Sequence, residues 1–352
     1  MKVDTIPRLR FLCFGAGAIG TYIGSSLALI GQKVVFVEQP QVAPMLRQSG
    51  LTLEVKGQSR RVEQPDVVAS IDEALTHGPF DVAIVAVKSF DLPALLERLQ
   101  PYSVALPPIL SIQNGVENEA ALAQKLGESK VIAGTVTSAI GKVAPGHVVL
   151  ERLRGMGVAS GHILVPSLVA VLNVAGLNAV EYESAASMKW SKMLTNLLAN
   201  ATSAILDMTP AEIFHNPRLY RLEVRQLREV LRLMAVQKID VVDLPGTPVR
   251  MLGWLVRSLP PTLSRPLLQR AVGAGRGGKM PSFHIDLHGG RGQSEVDYLN
   301  GAVVRFGERL GVPTPVNRLL NDTLLALTRG DLPLSEFTHR PDRLLALLKE
   351  ER

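Results

Sequence analysis

The stretch RLRFLCFGAGAIGTYIGSSLALIGQKVVFVEQP, residues 8–40, predicts a strand, a tight turn, a helix and a second strand in close succession. The first strand is expected at Leu9 to Phe14, the helix at about Ile19 to Ile30, and the next strand at Lys33 to Val37. Apolar residues fill both strand runs, whereas glycine and alanine occupy the connection between strand and helix. This order is typical of a doubly wound α/β sheet and sets the fold class of the first half.

The connection contains G-x-G-x-x-G, formed by Gly15, Gly17 and Gly20, and the acidic Glu38 closes the second strand. The first glycine permits a tight turn, the second lets the backbone approach a pyrophosphate, and the third lets helix and strand pack closely. The helix N-terminus then faces the phosphates. Between a strand and a helix, this pattern predicts a dinucleotide-binding turn.

Two further strands end in polar loops. FDVAIVAVKSFD (residues 80–91) carries Lys88 after its apolar run, and PPILSIQNGVEN (residues 107–118) carries Asn114. Loops at the carboxyl ends of parallel strands line the ligand crevice of such a sheet, so both residues are candidates for the nicotinamide end. An ordinary exposed lysine and a turn-forming Asn-Gly pair remain alternative interpretations.

The length and composition bound the class of protein. A chain of 352 residues predicts two domains, which we place at residues 1–182 and 183–345. The content of 46% hydrophobic and 20% charged residues is typical of a globular protein. The net charge of +6 is scattered without a basic, aromatic-rich stripe, which favours small anionic ligands over nucleic acid.

Cysteine content and hydropathy predict a cytoplasmic protein. The single Cys13 excludes an intramolecular disulfide framework and is expected to be a small core residue, not a nucleophile. The longest apolar stretch, residues 163–180, is interrupted by Pro166, Asn173 and Gly176. It therefore predicts a buried helix from about Pro166 to Gly176, not a membrane span.

Helical periodicity dominates the second half, at residues 187–205, 217–239 and 295–311, and predicts an all-α domain. Residues 244–280 are dense in proline and glycine and are expected to form an irregular insertion. We expect no metal ligands among the histidines, because glycines directly after His288 argue against a helix that would bring His284 and His288 together.

The stretch WSKMLTNLLANATSAI, residues 190–205, carries a polar ladder of Lys192, Asn196, Asn200 and Ser203. On one continuous helix these four side chains would share a narrow stripe. Asparagine has poor helix propensity, so a solvated face is rarely built from it. A surface face and a wall that binds an oxygen-rich ligand are both open at this point.

The motifs together resemble the ketopantoate reductase (2-dehydropantoate 2-reductase) family over roughly residues 9–330. They are G-A-G-A-I-G, V-K-S-F-D, Q-N-G-V-E-N, G-T-V-T-S-A, K-x-x-x-N-x-x-x-N, S-E-V-D-Y-L-N-G (residues 294–301) and V-P-T-P-V-N. The resemblance implies a Rossmann-type domain followed by an all-α domain. It also implies hydride transfer from NAD(P)H to the ketone of a 2-oxo acid, ketopantoate, in pantothenate biosynthesis.

Residue roles follow from the resemblance. Lys192 would protonate the developing alkoxide, and Glu295 would contact the substrate's hydroxyl group. Substrate contacts are expected from Asn114, Asn196, Asn200 and Ser282. Cofactor contacts are expected from Gly15, Ala16, Gly17, Ala18, Ile19, Gly20, Glu38, Lys88, Asn114, Ala139 and Glu295. The competing interpretation of Glu295 is that of an exposed first-turn acid, which offsets a helix dipole in many proteins.

Two departures from the family pattern bear on specificity. LDMTPAEI has Thr209 and Pro210 where the family usually has a further substrate asparagine, which leaves open a related 2-oxo acid or a bulkier ketone. At the end of the second strand, Glu38 and Gln39 replace a small residue followed by arginine. A carboxylate accepts hydrogen bonds from ribose hydroxyls and repels a 2′-phosphate, so NADH is expected to be favoured over NADPH.

Other activities and partners stay open. A non-catalytic nucleotide sensor is one alternative, although it would have no need of both Lys192 and Glu295. Another is a two-domain dehydrogenase acting on a 3-hydroxy acid or glycerol phosphate. The expected partner is a small 2-oxo acid, with no nucleic acid or membrane, and the sequence leaves a homodimer open.

Overall fold

The computed structural model of the protein describes residues 6–276, 280–290 and 292–350, without side-chain detail for 271–276, 349 and 350. The chain divides into two compact units. The first comprises Met1–Lys189 with Leu244–Thr247, and the second comprises Trp190–Asp243 with Pro248–Arg352. The division falls inside a helix, whereas the predicted boundary at residue 182 lies before it.

An eight-stranded sheet organises the first unit, as the glycine-turn pattern predicted. Its strands are β1 (Arg10–Phe14), β2 (Lys33–Val37), β5 (Asp66–Val68), β6 (Val82–Val85), β7 (Ile109–Ser111), β8 (Val131–Val136), β11 (Met156–Ala159) and β12 (Ala179–Tyr182). They lie in the order β12-β11-β8-β7-β6-β1-β2-β5. All neighbouring strands are parallel except β8 and β11. The strand order reverses at β1, because β2 lies on one side of it and β6 on the other.

A second sheet of four strands was not predicted from the sequence. It runs β4-β3-β10-β9 and is built from β3 (Leu51–Val55), β4 (Gln58–Val62), β9 (Ala139–Ala144) and β10 (His147–Arg152). The helices of this unit are α1 (Ala18–Leu29), α2 (Ala43–Ser49), α3 (Ile71–Thr76), α4 (Leu92–Leu99), α5 (Asn118–Leu126) and α6 (Val165–Val174). Helix α1 packs against both sheets, so the turn that precedes it is held from two sides.

The predicted elements around the glycine turn match the structure within one or two residues, and the apolar run after Leu164 is the buried-core helix α6. Cys13 is fully buried in the core of β1, as expected for a structural residue. Burial, with a smaller contribution from the nearby Glu38 carboxylate, raises the pKa of its thiol to about 12. No described helix combines the length and the apolar character that crossing a membrane requires.

Helices make up the second unit. They are the latter part of α7 (Ala185–Leu197), α8 (Asn200–Leu206), α9 (Pro210–His215), α10 (Pro217–Val236), α11 (Val249–Ser258), α12 (Pro261–Arg276), α13 (Ser282–His288), α14 (Ala302–Leu310), α15 (Pro315–Arg329) and α16 (Pro341–Glu350). A short π-helix, Asp297–Gly301, precedes α14. Within the described residues of this unit, no strand is assigned, which matches the all-α prediction.

Two predictions about the second half were wrong. Residues 244–280 are not irregular, because most of them form α11 and α12, and only 277–279 lie outside the described residues. Pro248 and Pro261 mark helix starts, where a missing N–H group costs nothing. The segment around His284 and His288 is also helical. The glycines that follow it end α13, with Gly290 at φ +68, and do not prevent it from forming.

Candidate functional site

The three glycines of the turn lie in three different steric environments. Gly15 has φ +94 and its N–H donates to the carbonyl of Val37 at 3.1 Å, which fixes the turn against β2. A Cβ on Gly20 would lie 1.9 Å from the carbonyl oxygen of Gly15, so only glycine lets the helix approach this closely. Gly17 differs, since apart from its chain neighbours no described residue has an atom within 4 Å of where its Cβ would lie.

This arrangement fits a dinucleotide. The open position at Gly17 leaves space for a pyrophosphate to reach the backbone, and α1 begins directly afterwards at Ala18. The N–H groups of that first helical turn can bind phosphate oxygens, with Ala16, Ala18 and Ile19 supplying the backbone beside the glycines. The residues present therefore fit the pyrophosphate of a dinucleotide cofactor.

Glu38 lies beside this turn. One carboxylate oxygen accepts a hydrogen bond from the backbone N–H of Ala16, and the other accepts from Gln39 N at 3.0 Å. The carboxylate is therefore held by the backbone and partly buried, while Gln39 and Arg47 are exposed. A fixed carboxylate at the end of β2 is the group that binds ribose hydroxyls in this fold.

The loops after β6 and β7 are tied to each other. Ser89 Oγ donates to the carbonyl of Asn114 at 2.9 Å, and Asn118 Nδ2 donates to the same oxygen at 2.6 Å. Gln113 Nε2 donates to the carbonyl of Val87 at 3.0 Å. The Lys88 and Asn114 loops thus form one polar edge at the carboxyl ends of neighbouring parallel strands.

The structure also shows a buried lysine that sequence reasoning missed. Lys189 is 5% exposed, and its Nζ lies 2.8 Å from Oε1 of Glu119. The same ammonium group donates to the carbonyls of Gln113 at 2.6 Å and Gly134 at 3.3 Å. Lys189 therefore fixes the loop that carries Asn114. The available signal was a lysine between the hydrophobic residues Met188 and Trp190, three positions before Lys192, which the ladder pattern obscured.

Ala139 is the last residue of the motif G-T-V-T-S-A, residues 134–139. It begins β9 and is partly buried. The residues before it are fixed by side-chain contacts: Ser138 Oγ accepts from Gly155 N at 2.9 Å, and Thr137 Oγ1 donates to the carbonyl of Pro245 at 2.9 Å. The segment is therefore a rigid part of the first unit.

In the second unit, the polar ladder does not lie on one continuous helix. Helix α7 ends at Leu197, α8 begins at Asn200, and Ala199 between them is left-handed at φ 53. The buried Glu223 supports the break by accepting from Ala199 N at 2.7 Å and from Thr202 Oγ1. The prediction of a single helix over residues 187–205 is therefore wrong. The apolar periodicity continues through the break, and the carboxylate that caps the break is distant in the sequence, so the local pattern does not indicate it.

Because of the break, the four residues of the ladder lie in different structural environments. Lys192 and Asn196 share one face of α7, four residues apart, and both are partly buried. Ser203 is fully buried, and its Oγ has no hydrogen-bond partner among the described residues, so it does not continue the stripe.

Asn200 is oriented by three hydrogen bonds. Its Nδ2 donates to the carbonyl of Asn196 at 3.0 Å and to Ser282 Oγ at 3.3 Å, and its Oδ1 accepts from Phe283 N at 3.1 Å. The last two partners lie at the start of α13. Asn196, Asn200 and Ser282, three predicted substrate residues, are thus brought together within the second unit.

Glu295 lies at the start of a helical segment, but it is buried and not exposed as the competing interpretation expected. It is 3% exposed and directly precedes the helical residue Val296. The π-helix that follows is held by buried Asn300, whose Nδ2 donates to Gln226 Oε1 at 3.2 Å and Asn317 Oδ1 at 3.1 Å. π-helical segments are frequent at functional sites, so the surroundings of this buried carboxylate fit a binding role, and its place at a helix N-terminus also fits a capping role.

Thr209 and Pro210, where the sequence departs from the expected family pattern, have a structural function. Thr209 Oγ1 accepts from Glu212 N at 3.3 Å, and the Glu212 carboxylate accepts from Thr209 N at 2.7 Å. These reciprocal bonds form a capping box at the start of α9, with Pro210 in the first turn.

Comparison with known protein families agrees with both units. The family described as Ketopantoate reductase PanE/ApbA matches residues 11–160, and its C-terminal counterpart, Ketopantoate reductase PanE/ApbA C terminal, matches residues 185–328. The chain belongs to the ketopantoate reductase family. As a member of it, the protein is an oxidoreductase.

Individual members of the ketopantoate reductase family align over nearly the whole chain. The 2-dehydropantoate 2-reductase of Archaeoglobus fulgidus is 27% identical over 91% of this chain and 97% of its own length. A crystal structure of a PanE/ApbA family ketopantoate reductase from Ralstonia eutropha JMP134 is 26% identical and covers 91% of this chain and 99% of that one, with a TM-score of 0.76.

A protein that does not carry the name ketopantoate reductase also shares the fold. A ternary structure of D-mandelate dehydrogenase with NADH and anilino(oxo)acetate has a TM-score of 0.74 at 21% identity, covering 91% of this chain and 99% of that one. At that identity the likeness concerns the fold alone.

Proposed function

We propose that the protein reduces the ketone of a small 2-oxo acid by hydride transfer from NADH. The observation that carries this proposal is the fixed amide of Asn200, whose three hydrogen bonds set its orientation before any ligand binds. Both Nδ2 hydrogens of Asn200 are engaged, but its Oδ1 keeps a lone pair that can accept from a substrate hydroxyl group. The side chains of Asn196 and Ser282 beside it can donate to a carboxylate, which positions the ketone for attack.

Lys192 is the proposed proton donor. Hydride addition leaves negative charge on the ketone oxygen, and a compact cation stabilises that charge and supplies the proton. Its partly buried position on the Asn196 face of α7 supports this role. The buried Glu295 is proposed to accept a hydrogen bond from a substrate hydroxyl group. The cofactor supplies the hydride, and the protein orients the reactants.

The cofactor preference is proposed from Glu38. Its carboxylate is held by the N–H groups of Ala16 and Gln39, so it cannot easily move away from a 2′-phosphate. Since Gln39 brings no positive charge, NADH is proposed over NADPH, and exposed Arg47 is a cation close in sequence that could offset this. Lys88, Asn114 and Ala139 are proposed to lie at the nicotinamide end.

The substrate is proposed as a class and not as a single compound. Ketopantoate is its first candidate, since the relatives that carry the name 2-dehydropantoate 2-reductase cover nearly the whole chain. We infer that Thr209, which belongs to a capping box, stands where the family pattern has an additional asparagine. That exchange favours an acid with fewer polar contacts or a bulkier side chain. We propose a cytoplasmic location, because the one cysteine is a buried core thiol.

A substrate screen tests the proposal. The full chain would be mixed with ketopantoate, straight-chain and branched 2-oxo acids, and an aryl-substituted 2-oxo acid, with loss of NADH and NADPH absorbance followed in parallel. Glycerol phosphate and 3-hydroxy acids, assayed in the oxidative direction, test the related dehydrogenase activities. Turnover of a 2-oxo acid with NADH is expected. Tight NADH binding without turnover of any of these compounds would instead identify a nucleotide sensor.

A further inference from the structure

Asp207, His284 and His288 have no role in the proposed function, yet ligand atoms from all three lie within 4.8 Å of one another. His284 and His288 are one turn apart on α13, and their rings stack with centroids 4.1 Å apart. His284 Nε2 lies 2.7 Å from Oδ1 of Asp207. Two imidazoles and one carboxylate therefore converge inside the second unit.

The backbone holds Asp207 in place. It follows α8 in a left-handed conformation at φ 51, which aspartate tolerates better than most residues. On either side of it, Met208 N donates to Ser203 O at 3.3 Å, and His339 N donates to Leu206 O at 2.8 Å. The turn that carries the carboxylate is thus fixed independently of its contact with His284.

We propose that these three residues bind a divalent transition-metal ion of the zinc class. Histidines at i and i+4 on one helix face, joined by a carboxylate from another element, are a ligand set that zinc commonly takes. Calcium and magnesium prefer all-oxygen ligands and fit two imidazoles poorly. Three protein ligands leave a fourth tetrahedral position for water.

The distances suit such an ion after small side-chain rotations. Tetrahedral zinc with ligands at about 2.0–2.1 Å needs ligand atoms roughly 3.3 Å apart. The separation of 2.7 Å between His284 and Asp207 and the limit of 4.8 Å for the whole set bracket that value. The side chains of His284 and Asp207 are 15% and 38% exposed, so an ion from solvent can reach them.

A simpler role for the histidines is helix capping. His288 Nε2 contacts the carbonyl of Ala204 at 3.1 Å, near the C-terminal end of α8, where an imidazole N–H satisfies an unpaired carbonyl. Capping by His288 does not, however, require its ring to stack on that of His284 beside the Asp207 carboxylate. That convergence is the feature that a metal site explains and capping does not.

An ion here would join α13 to the end of α8. These two helices also carry the hydrogen bonds between Asn200 and the start of α13. The proposed ion would therefore stabilise the pairing of α8 and α13, and its existence does not depend on the proposed function.

Calorimetric titration of the untagged, chelator-treated full chain with ZnCl2 tests the site. We expect one Zn²⁺ to bind per chain with a dissociation constant on the order of micromolar or tighter. His284→Ala, Asp207→Ala and His288→Gln should each weaken binding by at least about tenfold. The glutamine keeps a donor for the Ala204 carbonyl but is a poor zinc ligand, so it separates capping from metal binding.

His147→Ala is the matched control, because His147 pairs with Glu54 at the same distance of 2.7 Å in the first unit, and no third ligand joins this pair among the described residues. It should bind zinc as the wild type does, and zinc should raise the melting temperature of wild type and control but not of His288→Gln. The proposal is wrong if the wild type binds no zinc at about 1 mM, or if His288→Gln binds it as tightly as His147→Ala. Capping would then be the role of His288.

Discussion

The glycine turn and the segment from Lys192 to Asn200 achieve fixed geometry by opposite means. In the turn, the backbone itself is arranged to contact a ligand, and glycine is present where a Cβ would clash or obstruct. Around the break between α7 and α8, side chains are the expected contacts, and their orientation depends on partners distant in sequence. Glu223 caps the break, and Ser282 orients Asn200.

This difference indicates which of the two regions can change its ligand specificity without losing its structure. A backbone site depends on the absence of side chains, so almost any substitution in it is harmful. A side-chain site depends on individual residues, so exchange of one of them is expected to change specificity without changing the fold. We therefore expect relatives to share the turn more closely than the surroundings of Asn200.

The largest expected effect is on catalysis in the side-chain site. Lys192→Met should lower kcat by at least about a hundredfold, or roughly 2.7 kcal/mol, because the developing alkoxide loses its proton donor. NADH affinity should change little, since Lys192 is not part of the unit that carries the turn. Steady-state kinetics and a fluorescence titration with NADH measure the two quantities.

Lys125→Met is the matched control, because Lys125 Nζ forms a surface ion pair with Glu97 at 2.8 Å. It should retain wild-type kcat. If Lys192→Met also stays within a few-fold of wild type, Lys192 is not the proton donor.

Two alanine substitutions divide the turn into its structural and binding parts. Gly20→Ala should lower the free energy of unfolding by about 1–3 kcal/mol, because its Cβ would lie 1.9 Å from the Gly15 carbonyl oxygen. Gly17→Ala should change that energy by less than about 1 kcal/mol but weaken NADH binding by about tenfold, since its Cβ would occupy the pyrophosphate space.

Chemical denaturation measures the stability of both variants, and titration with NADH measures their cofactor affinity. Equal loss of stability in the two variants, or an unchanged NADH affinity in Gly17→Ala, would contradict the assignment of a structural role to Gly20 and a binding role to Gly17.

The side chain of Glu38, which contacts the turn, sets the expected cofactor preference. The wild type should show kcat/KM for NADH about tenfold above that for NADPH, equivalent to roughly 1.4 kcal/mol. The double variant Glu38→Gly, Gln39→Arg should reverse the order, because it removes the repelling carboxylate and adds a guanidinium group. A wild type that prefers NADPH would show that Arg47 or another cation overrides Glu38.

The smallest effect concerns the support of the side-chain site. Ser282→Ala removes the hydroxyl that accepts from Asn200 at 3.3 Å, and one such hydrogen bond contributes about 0.5–1.5 kcal/mol. We expect KM for the 2-oxo acid to rise a few-fold while kcat at saturation and NADH affinity stay unchanged. Exposed Ser258→Ala in the same unit is the control. An unchanged KM would mean that Asn200 does not need this contact.

The sequence alone determined the parts of the protein that local rules specify. The βαβ start, the tight turn at Gly15, the close packing at Gly20 and the strand-end Glu38 follow from residue size and backbone freedom within a short segment. The structure contains them nearly unchanged. The helical character of the second half followed in the same way, because apolar periodicity is a local signal.

Tertiary structure decided what depends on partners distant in the chain. Periodicity predicted one helix over residues 187–205, but Glu223, about twenty residues further on, caps a break there. Lys189 becomes a buried anchor only because Glu119 and two carbonyls meet it, and Asp207 meets His284 only when α8 and α13 pack. A buried charge or a broken helix is stable only when such partners satisfy it, so neither is visible before the chain folds.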